Sequence, residues 1–297
     1  MESASELTPE LRVFVEFVAK KGRELYRDLP WRRTYDPYAI WISEVMLQQT
    51  QVSRVDGRWQ RWLERFPTVD ALASAAPSDV LEEWQGLGYN RRALSVHRAA
   101  QAISEAGGVF PQDLKELVKL PGIGPATAAG IRAFAFNLHG VYLETNVRTV
   151  FLHELYPQAE GVPDSELVPL VELTCPASVA GAADAVAELT PRSWYYALLD
   201  YGAYLKKTIP NPSRRSKSHV KQSRFEGSHR QKRAELLRVL LAHKDEGGAE
   251  LETLHQELCQ IEVNAGRETL DEQVTLGLLE ELAKEGFCQK NDEYWLP

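Results

Sequence analysis

Two features of this chain have the residue types and spacing to work on a sugar–phosphate polymer. The first is Leu120-Pro121-Gly122-Ile123-Gly124, set between helical patterns at Asp113–Lys119 and Ala126–Phe136. Two glycines separated by one apolar residue permit a tight turn whose backbone N–H groups face outward. With the N-terminus of the following helix they offer a seat for one phosphate, which makes Gly122, Ile123, Gly124 and Thr127 candidate contacts. The second is Glu144, twenty residues beyond Gly124, in Tyr142-Leu143-Glu144-Thr145-Asn146-Val147-Arg148. One reading makes it an acid favoured by the dipole of a helix capped by Thr145. The other makes it a carboxylate that steadies a developing sugar cation, or orients a water, as a base departs.

The elements that must position these residues read as helices. In Leu11–Val18, Tyr38–Val52, Trp59–Phe66 and Val80–Trp84 the apolar residues recur every three or four positions. Pro, Gly and short polar clusters punctuate them, as at Phe66-Pro67-Thr68, Ala76-Pro77-Ser78-Asp79 and Gly107-Gly108. From Lys206 to Arg233 ten Lys and Arg residues face a single acid, Glu226. That segment reads as a basic linker or arm, with Arg214, Arg215 and Lys217 as candidate phosphate contacts. Beyond it, Glu235–Ala242, Leu251–Cys259 and Leu270–Lys284 read as three amphipathic helices. Phe287–Lys290 and Glu293–Leu296 read as two strands around Asn291-Asp292. Three helices and a terminal hairpin predict a small winged-helix-like module. Its acids Glu268, Asp271, Glu272, Glu280 and Glu281 favour packing or a protein partner over phosphate.

The 297 residues suffice for one catalytic domain and a small appendage. No apolar run approaches the roughly 20 residues that span a bilayer. Met1–Pro9 is polar and acidic, without the basic and then apolar regions of a secretory signal. The expected setting is the cytoplasm of a bacterium or archaeon, at the nucleoid, with no membrane. Cys175, Cys259 and Cys288 are far apart, with no C-x-x-C pair, and read as free thiols rather than disulfide, zinc or iron–sulfur ligands. The few histidines show no ligand spacing, so no metal site is expected. A net charge of −8 argues against a uniformly basic nucleic-acid binder but leaves room for a local patch.

A third block is Leu29-Pro30-Trp31-Arg32, Asp36-Pro37-Tyr38 and Trp41-Ile42-Ser43-Glu44-Val45-Met46-Leu47-Gln48-Gln49-Thr50-Gln51-Val52. It continues through Arg65-Phe66-Pro67-Thr68 and Trp84-Gln85-Gly86-Leu87-Gly88-Tyr89 to the Gly-rich turn. This colinear set closely resembles the MutY-like adenine glycosylases of the helix-hairpin-helix (HhH-GPD) superfamily, densely from Leu29 to Leu155. The resemblance implies an all-α, two-lobed glycosylase fold over 1–205, with a six-helix lobe at about 31–137 and a second lobe from 1–30 and 138–205. The basic arm at 206–233 and the winged-helix-like module at 234–297 would follow.

The resemblance makes Glu44 the general acid that protonates a leaving adenine. Burial should raise its pKa, and its apolar neighbours Ile42, Val45, Met46 and Leu47 argue against a solvated helix acid. Glu144 takes the family's aspartate position, one methylene longer, and Asn146 matches the polar residue two positions on. Gln48 and Gln49 match residues that enter the duplex at an extruded nucleotide. Arg32, Thr50, Leu87, Tyr89 and Asn90 complete the expected DNA contacts. Ala126 stands where bifunctional relatives carry a Schiff-base lysine, so simple hydrolysis is expected there.

The resemblance also breaks in places. Lys206–Arg233 has no cysteine where relatives place four around a 4Fe–4S cluster, so no cofactor is expected. Asn90 replaces a usual second tyrosine, and the tail is too short and helical to be the family's lesion-recognition domain. The expectation is a monomeric, monofunctional glycosylase of base excision repair acting on double-stranded DNA with a lesion or mismatch, removing mispaired adenine. A glycosylase for oxidised or deaminated pyrimidines or mismatched thymine is the alternative. A non-catalytic module binding distorted duplex is the second.

Overall fold

The computed structural model describes residues 7–177, 189–219 and 224–297. Residues 1–6 of the polar N-terminus and Lys221 of the basic segment lie outside the described residues. Two compact units emerge: Met1–Val45 with Phe110–Lys221, and Met46–Val109 with Gln222–Pro297. Among the described residues no helix is long and apolar enough to cross a membrane.

The first unit is built on aromatic packing. Thr8 caps the helix Pro9–Glu24, accepting from Leu11 N at 3.3 Å, and Pro9 fits the first helical position. A Cβ on Gly22 would overlap Ala197, so this helix meets Pro191–Thr208 at a distance only glycine allows. Phe14 lies 5.0 Å from Phe151 and 6.1 Å from Trp194, centroid to centroid. These rings pack with Val18, Val147, Val150 and Leu198 in one buried core. The helix Pro125–Phe136 buries Ala128, Ala129, Ile131, Ala133 and Phe134 and ends where Asn137 turns left-handed at φ 54°. Phe134 stacks on Tyr196 at 4.5 Å, which ties the hairpin segment to this unit.

In the second unit, Arg91–Glu105 packs against the short helices Val69–Ala73 and Pro77–Trp84. Trp62 sits edge-on to Trp84 at 5.5 Å and near Phe66 at 5.0 Å. The tail supplies the helices His229–Ala242, Leu251–Asn264 and Glu272–Glu285 and three strands, β1 (Ala249–Glu250), β2 (Gln289–Asn291) and β3 (Tyr294–Leu296). The sheet is antiparallel in the order β1-β3-β2, with Trp295 paired to Ala249 and Lys290 and its side chain buried.

These divisions differ from the expected boundaries in three ways. The glycine turn belongs with 1–45 rather than with 46–109, because its helix carries Phe134 into the aromatic core. The tail clusters with 46–109 instead of standing apart. His229–Ala242 packs on Pro77–Trp84, and Lys244 Nζ pairs with Asp79 at 2.9 Å and Glu82 at 2.5 Å. The segment 206–233 is no plain linker: Lys206 and Lys207 finish a helix, Pro212–Arg215 makes a tight turn, and Ser228 caps His229–Ala242 through Gln231 N. The tail is winged-helix-like as expected, with the two-residue β1 added. Of its expected acids, Glu281 pairs with Arg233 at 3.5 Å, and Glu285, outside that set, takes Arg91 at 2.6 Å and Arg233 at 2.8 Å.

Candidate active site

Glu44 lies on the helix Pro37–Leu47, beside the buried Trp41, Ile42, Val45 and Met46. Its Oε2 accepts from the Tyr142 hydroxyl at 2.8 Å. Gly130 makes the space: a Cβ there would come within 2.5 Å of Glu44 Oε2 and 2.9 Å of Tyr142 Cε2. Tyr142 is fixed in turn, edge-on to Phe134 and Tyr195 at 5.3 Å each, with its N–H donating to the Tyr195 hydroxyl at 3.1 Å.

Glu144 is itself the cap of the helix Thr145–Glu154, where the sequence pattern named Thr145. Its Oε1 accepts from Asn146 N at 2.6 Å and Val147 N at 3.2 Å. Two amide donors at a helix N-terminus favour an anion at that place. A Cβ on Gly202 would overlap the Asn146 carbonyl, so Pro191–Thr208 presses on this N-terminus, and Lys206 Nζ donates to Asn146 Oδ1 at 3.1 Å.

Burial pushes the Glu44 carboxyl up to about 7. The negative charge of Glu144 adds to the rise, while the Tyr142 hydroxyl and the Arg32 charge oppose it. Burial also raises the Glu144 carboxyl, against the amides of Asn146 and Val147 and the positive charge of Lys206. A carboxyl that holds its proton near neutrality thus lies within electrostatic reach of a second one provided with amide donors for its charged form. That is the division of labour an acid and an anionic partner require.

Arg32, expected at the ligand, is instead buried. It clasps the buried Asp200 through two bonds, Nη1–Oδ2 at 2.7 Å and Nη2–Oδ1 at 2.9 Å, and lies over the Tyr196 ring at 4.3 Å. Its guanidinium is spent on a partner 168 residues away in sequence, which no local pattern displays.

The glycine turn has the expected form. Asp113 caps Leu114–Leu117 through Lys115 N and Glu116 N at 2.8 and 3.1 Å, Gly122 takes φ 75°, and Ile123 is buried as the anchor. Gly122 and Gly124 are exposed, Gly124 and Pro125 start the next helix, and Thr127 is half-buried in its first turn. Gly130 on the same helix lies about 9 Å along the axis from Gly124, so the turn and the residue that makes room for the acid share one helix.

Other expected residues fall in the second unit. Gln49 and Tyr89 both hold left-handed backbone, φ 54° and 51°, and both are exposed. The predicted helix Tyr38–Val52 therefore breaks after Leu47 and resumes at Val52. Gln48, Thr50 and Asn90 are half-buried. Leu87 is a core residue, 2% exposed, and cannot offer its side chain to a ligand. In the basic segment Arg214 and Lys217 are exposed, but Arg215 donates to the carbonyls of Leu152 at 2.8 Å, Ala159 at 3.4 Å and Tyr156, at and just beyond the end of the helix Thr145–Glu154, where carbonyls need donors.

Sequence reasoning missed Tyr142 and Arg92. Arg92 carried a local signal, because a cation in the first turn of a helix opposes the dipole and asks for another reason to be there.

Residues 42–187 match the family described as HhH-GPD superfamily base excision DNA repair protein. The adenine DNA glycosylase of Mycolicibacterium smegmatis is 42% identical over 152 residues, 50% of this chain and 52% of that one, so the chain spans about half the length of that relative. That of Mycobacterium tuberculosis is 37% identical over 235 residues, 73% of this chain and 75% of the relative. Among solved structures, a thermostable thymine-DNA glycosylase shares the fold with a TM-score of 0.57 and 23% identity, over 68% of this chain and 90% of its own.

Proposed function

Because this chain belongs to the adenine DNA glycosylase family of the HhH-GPD superfamily, we propose that it removes mispaired adenine from duplex DNA by hydrolysing the N-glycosidic bond. The observation that carries this reading is the pair of carboxyls at Glu44 and Glu144, the first raised to about 7. A purine leaves at neutral pH only if a ring nitrogen takes a proton as the bond breaks, and Glu44 supplies it. Glu144 holds negative charge where the sugar becomes cationic, with Asn146 fixing its orientation. Tyr142 positions the acid. The turn at Gly122–Gly124 takes a phosphate, while Gln48, Gln49 and Tyr89 occupy the duplex at the extruded nucleotide. Exposed Arg214 and Lys217 add phosphate contacts.

With Ala126 in the helix after the turn, that position offers no amine for a covalent step, and the reaction is hydrolysis. The 4Fe–4S cluster of similar proteins needs four thiolates, and the chain has three cysteines in all. Three thiols cannot supply four, and among the described residues no three His, Cys, Asp or Glu side chains gather to hold a metal, so these residues do not fit a cluster. The proposed reaction uses no cofactor and one copy of the chain.

The test is incubation of the full chain with duplexes bearing adenine opposite 8-oxoguanine, adenine opposite guanine, uracil, 5-hydroxyuracil or a T·G mismatch, each followed by alkali. Scission at adenine supports the reading. Scission only at a pyrimidine replaces the substrate, and binding without scission on any duplex makes the chain a sensor of distorted DNA.

A further inference from the structure

Gln49 and Tyr89, two exposed residues with left-handed backbone in the second unit, stand on different loops forty residues apart in sequence. A non-glycine residue in that conformation is strained and persists where the surroundings impose it. One side chain reaches both loops. Arg92 Nη1 donates to Gln48 O at 2.8 Å and Met46 O at 3.4 Å. Its Nη2 donates to Gly88 O at 2.9 Å, Leu87 O at 3.2 Å and Thr50 Oγ1 at 3.3 Å. The guanidinium lies over Trp84 at 5.3 Å and Tyr89 at 5.5 Å. Further bonds support the same arrangement: Thr50 Oγ1 to Leu87 O at 3.3 Å, Trp84 Nε1 to Gly88 O at 3.1 Å, and Arg58 to Gln85 O.

We propose that Arg92 is a positioning residue for base extrusion, joining the Gln48–Thr50 and Leu87–Tyr89 loops so that Gln49 and Tyr89 meet the duplex as one preformed wedge. The inference rests on the glycosylase reading and adds to it the element that sets the wedge. The geometry suits arginine specifically. A planar fork with five donors serves carbonyls on both loops at once, and a lysine in its place serves one cluster of acceptors from a point. Preforming the loops moves the ordering cost out of the binding step, so the stored strain serves extrusion rather than chemistry. Arg92 holds the carbonyls of both loops, so its replacement should affect opening of the duplex and spare the bond-breaking step.

Single-turnover adenine release is compared for wild type, Arg92→Lys and Thr50→Val on two duplexes, one with adenine opposite 8-oxoguanine and one with adenine opposite an abasic analogue, where no partner base holds it. A 2-aminopurine beside the target reports extrusion independently of cleavage. Arg92→Lys should slow release from the paired duplex at least tenfold and from the unpaired one less than threefold, and abolish most of the fluorescence rise. Thr50→Val, which removes one link of the set, should show a smaller loss of the same selectivity and stands in if Arg92→Lys melts early. Equal losses on both duplexes, or an unchanged fluorescence rise, overturn the proposal. A wild-type chain that extrudes the base without releasing adenine overturns the glycosylase reading and leaves the fluorescence comparison to decide the role of Arg92. A wild-type chain that does neither overturns both.

Discussion

Around Glu44 and Glu144 the backbone is ordinary and burial holds two carboxyls above their usual pKa; around Arg92, whose own pKa burial lowers to about 10, the backbone is left-handed at Gln49 and Tyr89 and carbonyls of both loops meet the charge. The first region stores its cost in desolvated carboxyls, which is useful only if a proton must move there. The second stores it in loop geometry, which is useful only if something must be pushed aside. The contrast teaches that one chain separates acid chemistry from mechanical work, and that each region should fail in its own way when altered.

The sharpest way to break the comparison is Glu44→Gln. It keeps the shape and removes the proton, so adenine release should fall by about 10²- to 10⁴-fold, while duplex affinity, read by fluorescence anisotropy, stays within about threefold. Lost affinity alongside lost release would put Glu44 in binding rather than chemistry. Next is Gly130→Ala, whose Cβ would stand 2.5 Å from Glu44 Oε2. The acid must then move by about an ångström and the Tyr142 ring, 2.9 Å from the same Cβ, must give way, so release should drop on the order of 10²-fold along with a lowered melting temperature. If release from paired and unpaired duplexes falls equally, the acid region is distinguished from the Arg92 loops.

A smaller effect is expected of Tyr142→Phe. The hydroxyl holds the Glu44 pKa down, so its removal should carry the alkaline fall in release to higher pH and change the rate on its plateau only several-fold. The smallest concerns neither region: replacing Arg214 and Lys217 with alanine should weaken binding to every duplex alike and lower the salt slope by about 2. A loss confined to one lesion would mean that these side chains read bases.

Much of this arrangement is legible in the sequence where the cause is local. The Gly122–Gly124 turn, the acid in an apolar helix at Glu44 and the carboxylate before a helix at Glu144 are all written within a dozen residues of chain. What escaped depends on distant partners. Arg32 reads as a DNA contact until Asp200 closes on it, Tyr142 carries no signal until its hydroxyl meets Glu44, and Leu87 reads as a DNA contact until it is found in the core. The break at Gln49 carries no glycine or proline to announce it, because the bonds from Arg92, not local propensity, impose it. Likewise β1 spans two residues, too short to alternate, and exists only because β3 offers a partner.

The central claim is that the protonated Glu44 carboxyl drives base loss. Single-turnover adenine release measured from pH 5 to pH 9 tests it directly. Because burial raises this pKa, the proton is present below about 7 and is lost above it, so the rate should be highest on the acid side and fall tenfold per pH unit well beyond about 7. A rate that stays flat or rises across that interval would contradict the account.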